Sequence, residues 1–225
     1  MSDWDSADIL QRCKDTAQEP TQGDVTSDAQ WYQLLSNAQQ KVTRLFASHV
    51  PHVLMTAPAA MSTADGGATY TFPNSDWPLG EAEIRVGRSG RILIPGADFS
   101  PHADFVFEGN RIRMPNGRTQ TFADTLYTRY VRQPVSISAS VEPTLQPEPA
   151  RILLVYDAVA EWARQGGLRD PSPFLQLFQH TCWGDPMNPG DTGIIGSLKG
   201  QMFGQGSDPA YALGTSRFWW RGPLR

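Results

Sequence analysis

A chain of 225 residues is long enough to bury a core as one domain, alone or with a sizeable insertion. Charged residues make up 19%, below the usual share of about 25%, and the formal charge is -4 with no basic block, which excludes the electrostatic footprint of a tight nucleic-acid binder. Cys13 and Cys182 are far apart and give neither a disulfide framework nor zinc spacing, and no apolar run approaches the roughly 18–20 residues of a membrane span. With an acidic start unlike a signal peptide, the expectation is a soluble protein made in a reducing cytoplasm.

In chain order, 6–17 predicts a short helix with Ile9, Leu10, Cys13 and Ala17 on its apolar side, followed by a polar loop punctuated by Pro20 and Gly23. The segment 27–50 predicts the clearest helix. Ser27 and Gln30 form a capping box, Asp28 suits the positive end of the dipole, and Trp31, Leu34, Leu35, Ala38, Val42, Leu45 and Phe46 make one stripe. Gln33, Asn37, Gln40, Lys41 and Arg44 take the other side, and Pro51 ends the run. Residues 52–66 read as irregular.

The period then changes to two. Ala82, Ile84 and Val86 alternate with Glu81, Glu83 and Arg85; 91–94 reads as a short apolar strand. Segments 104–108 and 111–114 flank Gly109-Asn110, a two-residue hairpin signal, with Phe105 and Phe107 on one face and Ile112 and Met114 on the partner strand. Residues 124–133 read as a longer strand. Strands at this spacing suggest a small sandwich or barrel. A Pro- and Ser-rich return linker over 134–149 leads to a second long helix, 149–165, with the stripe Ile152, Val155, Tyr156, Val159, Trp162 and Ala163, stopped by Gly166-Gly167. A short helix after Pro173 carries Phe174, Leu175, Leu177 and Phe178. The remainder is glycine-rich, with little apolar periodicity, and reads as an extended arm that does not fold alone.

The expected class is therefore α+β, a helical bundle core interrupted by an inserted small antiparallel β-sandwich or barrel. The divisions are N-terminal core helices over 1–51, the β insert over 52–148, returning core helices over 149–183 and an extended C-terminal arm over 184–225.

Catalytic signatures are lacking. His180, Cys182 and Asp185 lie close together, but Cys/His nucleophile pairs draw their partners from distant sequence, so a structural role is preferred. His49, His52 and His102, with Asp98 or Asp104, have no metal-binding signature, since Pro51 breaks the helix between the first two. Asp98, Asp104 and Glu108 sit at strand ends and turns, where carboxylates are ordinary, rather than reading as a glycosidase pair. The glycine run 190–206 has no phosphate-loop lysine, and Gly196, Gly200 and Gly204 are flanked by Lys199 and Gln201, which rules out a membrane dimer face. No enzyme activity, cofactor or metal is expected. The sharpest binding candidate is Arg217, Phe218, Trp219, Trp220 and Arg221, because Trp and Arg are the types most enriched at interface hot spots, and a partner subunit is preferred to the chain's own core as its dock.

The order of elements resembles that of phage head-to-tail adaptor (connector) proteins of the tail tubular protein A kind. The resemblance runs through Asp8-Ile-Leu-Gln-Arg12, Trp31-Tyr-Gln-Leu-Leu-Ser-Asn-Ala-Gln-Gln40, the hairpin Phe105-Val-Phe-Glu-Gly-Asn-Arg-Ile112, Leu126-Tyr-Thr-Arg-Tyr-Val-Arg132 and Ile152-Leu-Leu-Val-Tyr-Asp-Ala-Val-Ala-Glu-Trp162, and covers most of residues 5–165. It implies a structural virion protein at the head–tail neck, made in the host cytoplasm. Copies would form a ring, usually a dodecamer, beneath the portal protein. The ring would extend the channel through which double-stranded DNA passes non-specifically in packaging and ejection, and would dock a downstream tail or nozzle protein, with no membrane contact. The resemblance also implies a C-terminal arm that reaches the portal or a neighbouring subunit, which gives residues 217–221 their expected role. The competing expectation is a carbohydrate- or surface-binding β module of a tail fibre or baseplate, with Trp77 and Tyr70 lining a sugar site.

Overall fold

The computed structural model describes residues 4–18, 26–63, 65–88, 90–96, 102–115, 122, 124–166, 169–188 and 190–204. Local chemistry sets the first two helices where the sequence places them. Helix α1 spans Ser6–Ala17, and the Asp5 carboxylate accepts the Asp8 N–H at 2.8 Å. Helix α2 spans Asp28–His49 behind the capping box. Ser27 Oγ accepts the Gln30 N–H at 3.3 Å, and Gln30 Oε1 accepts the Ser27 N–H at 2.9 Å. Trp31, Leu34, Leu35, Ala38, Val42 and Phe46 are buried as the stripe requires, while Leu45 is only half-buried at its edge.

A 3₁₀ turn over Glu148–Arg151 leads into α3, Ile152–Gly166. Its buried surface is wider than the expected stripe: Leu153, Leu154, Ala158 and Ala160 are buried as well, because α1, α2 and α4 pack around it. A helix enclosed on several sides needs apolar residues around most of its circumference. Helix α4, Ser172–Trp183, extends the short helix expected after Pro173 to 12 residues.

Helix α5, Gly193–Gly204, corrects the expectation of an extended arm from residue 184 onward. Its four glycines, Gly193, Gly196, Gly200 and Gly204, disfavour a helix by roughly 1 kcal/mol each relative to alanine. Packing overrides propensity here: Ile195 and Leu198, one turn apart, are buried in the helical core against α4.

Among the described residues between α2 and α3 lie six strands: β1 (Ala59–Ala60), β2 (Thr69–Thr71), β3 (Pro78–Val86), β4 (Val106–Glu108), β5 (Arg111–Arg113) and β6 (Leu126–Arg132). They form two antiparallel three-stranded sheets, ordered β1-β6-β3 and β2-β5-β4. The sheets share one core that includes Tyr70, Phe72, Ile84, Phe105, Ile112, Leu126 and Tyr130, as in a sandwich, and do not join into a closed barrel. The hairpin turns at Gly109-Asn110 with Glu108 opposite Arg111, and Gly109 has φ 65°. The six-membered ring of Trp77 lies so close over Gly109 that a Cβ there would meet it at 2.9 Å. The expected strand over 91–94 is reduced to an isolated bridge between Ile92 and Arg85, and two short strands, β1 and β2, arise where no strand was expected.

The return linker lies as a strap across α2. Gln39, fully buried, donates through Nε2 to the Val135 carbonyl at 2.7 Å and accepts the Thr144 N–H at 2.8 Å. Ser36 Oγ accepts the Ile137 N–H at 2.9 Å. Ile137 and Leu145 are buried in the helical core. The Ile137 N–H is the buried group of the three and, left without its partner, would cost about 1–3 kcal/mol. Two polar residues on the apolar side of α2 thus fasten the linker along the helix. The two cores meet where β3 touches α2 and where Met55 bridges Val131. Among the described residues no helix is long and apolar enough to cross a membrane.

Candidate functional site

The sequence's chemical candidates resolve into structural duties. Cys182 is buried under the helical core and its thiol is pushed up to about 11 by burial, the reverse of an activated nucleophile. Cys13 is buried and raised by the same cause. His49 meets the edge of Trp183 at 4.8 Å between centroids, and its pKa is lowered first by burial and then by Lys199. Burial also lowers His52. Asp104 is held by both Arg91 guanidinium nitrogens, at 3.0 and 3.1 Å, and by the Ile94 N–H, whereas Glu108 is held below the usual carboxylate range, mainly by its hydrogen bond from Arg113. Asp98 lies outside the described residues, as do Arg217, Phe218, Trp219, Trp220 and Arg221. Among the described residues no three His, Cys, Asp or Glu side chains gather as metal ligands. Tyr70 and Trp77 do not share an open face: Tyr70 is a core residue packed on Phe122, while Trp77 stands 61% exposed over the hairpin turn.

Two surface features are assembled instead. The first is a cleft of about 140 Å³ on the β1-β6-β3 sheet. Strand alternation sends Ile84, Leu126 and Tyr130 to the core, so the intervening Glu83, Arg85, Tyr127 and Arg129 line the other face, with Arg85 opposite Tyr127 and Glu83 opposite Arg129. Arg85 pairs with Glu83 along the strand. The Arg88 guanidinium lies 5.4 Å from the Tyr127 ring centre, a cation–π contact. Arg129 donates through Nε to the Thr56 carbonyl at 3.3 Å. Among the described residues no carboxylate pairs with Arg88 or Arg129, so the cleft carries two uncompensated cations on an acidic protein. Pro58 and Tyr127 give it apolar walls.

The second feature is the loop joining α4 to α5, with a basin of about 520 Å³ lined by His180, Trp183, Asp185 and Asp191 among others. Asp191 fastens the loop: one carboxylate oxygen accepts the Gly193 N–H at 3.0 Å and the other the Asp185 N–H at 3.1 Å. Those backbone hydrogen bonds, that from Gly193 foremost, hold Asp191 below the usual carboxylate range. Asp185 accepts the Met187 N–H at 2.9 Å. At the corner Met187 is 89% exposed, and beside it Trp183 is 44% exposed.

Comparison with protein-family models and with characterised proteins finds no match to this chain. The sequence does not single out the cleft: Arg85 enters only through polar alternation and Arg129 only through the 126–132 motif, and strands more than 40 residues apart meet there only through register. His180 and Asp185 of the basin are the sequence's Cys/His candidates without Cys182 as a reactive member. The loop carried one usable signal, a methionine between two aspartates and two prolines in a segment with no apolar periodicity.

Proposed function

We propose that this chain is a non-enzymatic structural protein of a tailed phage, a head-to-tail adaptor whose copies form a ring, dodecameric by resemblance, beneath the portal. The ring extends the DNA channel and docks the next tail component. The observation that carries the reading is the placement of the adaptor-like motifs. Asp8–Arg12 falls in α1 and Trp31–Gln40 in α2; Phe105–Ile112 makes the β4–β5 hairpin, Leu126–Arg132 is β6, and Ile152–Trp162 lies in α3. Each motif thus coincides with an element of a helical core that is interrupted by a sheet core and then resumed. A net charge of -4 suits a conduit that must not grip phosphate. The carbohydrate-module alternative loses support because Tyr70 is buried.

The test mixes the full chain with purified portal rings and measures the mass of the complex. Oligomeric occupancy of the portal, with twelve copies expected, is the predicted result; no portal-bound species overturns the reading. A chain truncated after Leu213 tests the arm. Its portal affinity is expected to fall at least tenfold, and unchanged affinity removes Arg217, Phe218, Trp219, Trp220 and Arg221 from the contact.

A further inference from the structure

We infer that the Asp185-Pro186-Met187 corner of one copy docks into the arginine-rimmed cleft of the β1-β6-β3 sheet on a second copy. The inference rests on the adaptor reading above and names the surfaces through which its copies meet. Three independent properties of the two surfaces match. The first is charge. The cleft presents Arg88 and Arg129 with no carboxylate partner, and the corner presents Asp185 and Asp191, neither in a salt bridge with a described Lys or Arg. Guanidinium with carboxylate is the pairing that gains most from planar, two-pronged hydrogen bonding.

The second is size. The cleft measures about 140 Å³ between Pro58 and Tyr127. An engineered apolar cavity of about 150 Å³ holds a benzene, so a cleft of this size takes one thioether side chain. Met187 is 89% exposed, more than any other large apolar residue described, and methionine adapts well to an irregular pocket beside an aromatic ring. The third is preorganisation. The corner is held by the hydrogen bonds of Asp185 to Met187 and of Asp191 to Asp185 and Gly193, and the rim by the contacts of Arg88 with Tyr127 and Arg129 with Thr56. Little order remains to be acquired on docking. Because corner and cleft are different patches of one chain, each copy offers both, and a head-to-tail contact of this kind closes into a ring when its rotation permits.

Two chains with one added cysteine each test this directly: Ala57→Cys, exposed beside Pro58 at the cleft, and Asn188→Cys, exposed beside Met187 at the corner. The native Cys13 and Cys182 are buried and leave the background clean. Mixed and oxidised, the two chains are expected to give the mixed disulfide in at least tenfold excess over either like-with-like product. The double variant, Ala57→Cys with Asn188→Cys, is expected to give a ladder of linked copies. A mixed product no more abundant than the like-with-like ones overturns the inference. As a second readout, replacing Arg88 and Arg129 with Glu is expected to weaken self-association at least tenfold, and mixing with Met187→Arg chains to restore pairing. Self-association unchanged by the double Glu variant also overturns it. The two proposals fail separately: portal-bound rings without the mixed disulfide remove this contact and leave the adaptor reading, whereas linked copies that ignore the portal do the reverse.

Discussion

Tyr130 joins the sheet core to its surface. Its ring packs edge-on against Phe72 at 5.2 Å between centroids, and its hydroxyl donates to Asp76 Oδ2 at 2.8 Å. Asp76 is in turn bridged by Arg132 at 2.9 Å. Burial first, then the hydrogen bond and negative charge of Asp76, push the phenol from 10.0 up to about 12. The sign follows from the acid's neutral form being the one the fold prefers. A phenol with a folded pKa above its unfolded one contributes stability that is fully present below pH 10.0 and is lost as pH rises toward about 12. An ultraviolet titration is therefore expected to show a phenol that ionises well after the exposed tyrosines, with unfolding midpoints falling over the same interval. Tyr130→Phe should remove that late ionisation, cost about 1 kcal/mol at neutral pH and flatten the alkaline loss of stability. Burial raises Tyr70 too, so the comparison is made in a Tyr70→Phe background, where a late step that survives Tyr130→Phe refutes the argument.

At the scale of elements, legibility followed the source of each element's stability. Helices α1 and α2 carry their own instructions: a side-chain cap, a 3-4 stripe and a stop. Both were read to within a residue. The β4–β5 hairpin was legible because Gly109-Asn110 is a local signal. Strands β1 and β2, two and three residues long, have no period to read, and exist because β6 and β5 supply their partners. Helix α5 was missed for a related reason, since its glycines oppose a helix that docking imposes. The surface features were illegible because they need register and loop closure, which no local pattern encodes. Helix α5 also offers the cleanest test of that account. Gly193 has φ 59°, and a Cβ there would lie 2.3 Å from the Gly184 nitrogen and 2.7 Å from the Cys182 carbonyl oxygen, both backbone atoms that cannot turn aside. Gly193→Ala is expected to detach α5 while α1, α2 and α3 persist. Hydrogen exchange should accelerate over 194–204 alone, and Cys182 should become reactive to thiol reagents. A Cys182 that stays unreactive in the variant shows that α5 docks independently of this junction.

The described residues hold two hydrophobic cores nested along the chain, joined by the β3 contact with α2 and the Met55–Val131 bridge. Both ends of the sheet segment are fixed on the helical side: one leaves the end of α2, and the other returns under the Ser36 and Gln39 hydrogen bonds. The helical core is complete without any sheet residue in its cluster, and the sheet core without any helical one. Such a chain should unfold in two cooperative units rather than one. The probes separate once Trp77, which lies over the β4–β5 turn, and Tyr32 and Tyr156, which lie in α2 and α3, are replaced by Phe. Trp31 and Trp162 stack at 5.6 Å within the helical core, while Tyr70 and Tyr130 belong to the sheets. Ile112→Ala, at a fully buried sheet position, should cost about 2–5 kcal/mol and lower the transition seen by the tyrosines, leaving the tryptophan midpoint in place. Val155→Ala, fully buried in α3, should lower the tryptophan midpoint. Its effect on the sheets should be smaller, because releasing the two ends of an inserted segment alters only its loop-closure term. Coincident midpoints for both probes in both variants would refute independence and make the small junction between the cores the seat of the molecule's cooperativity.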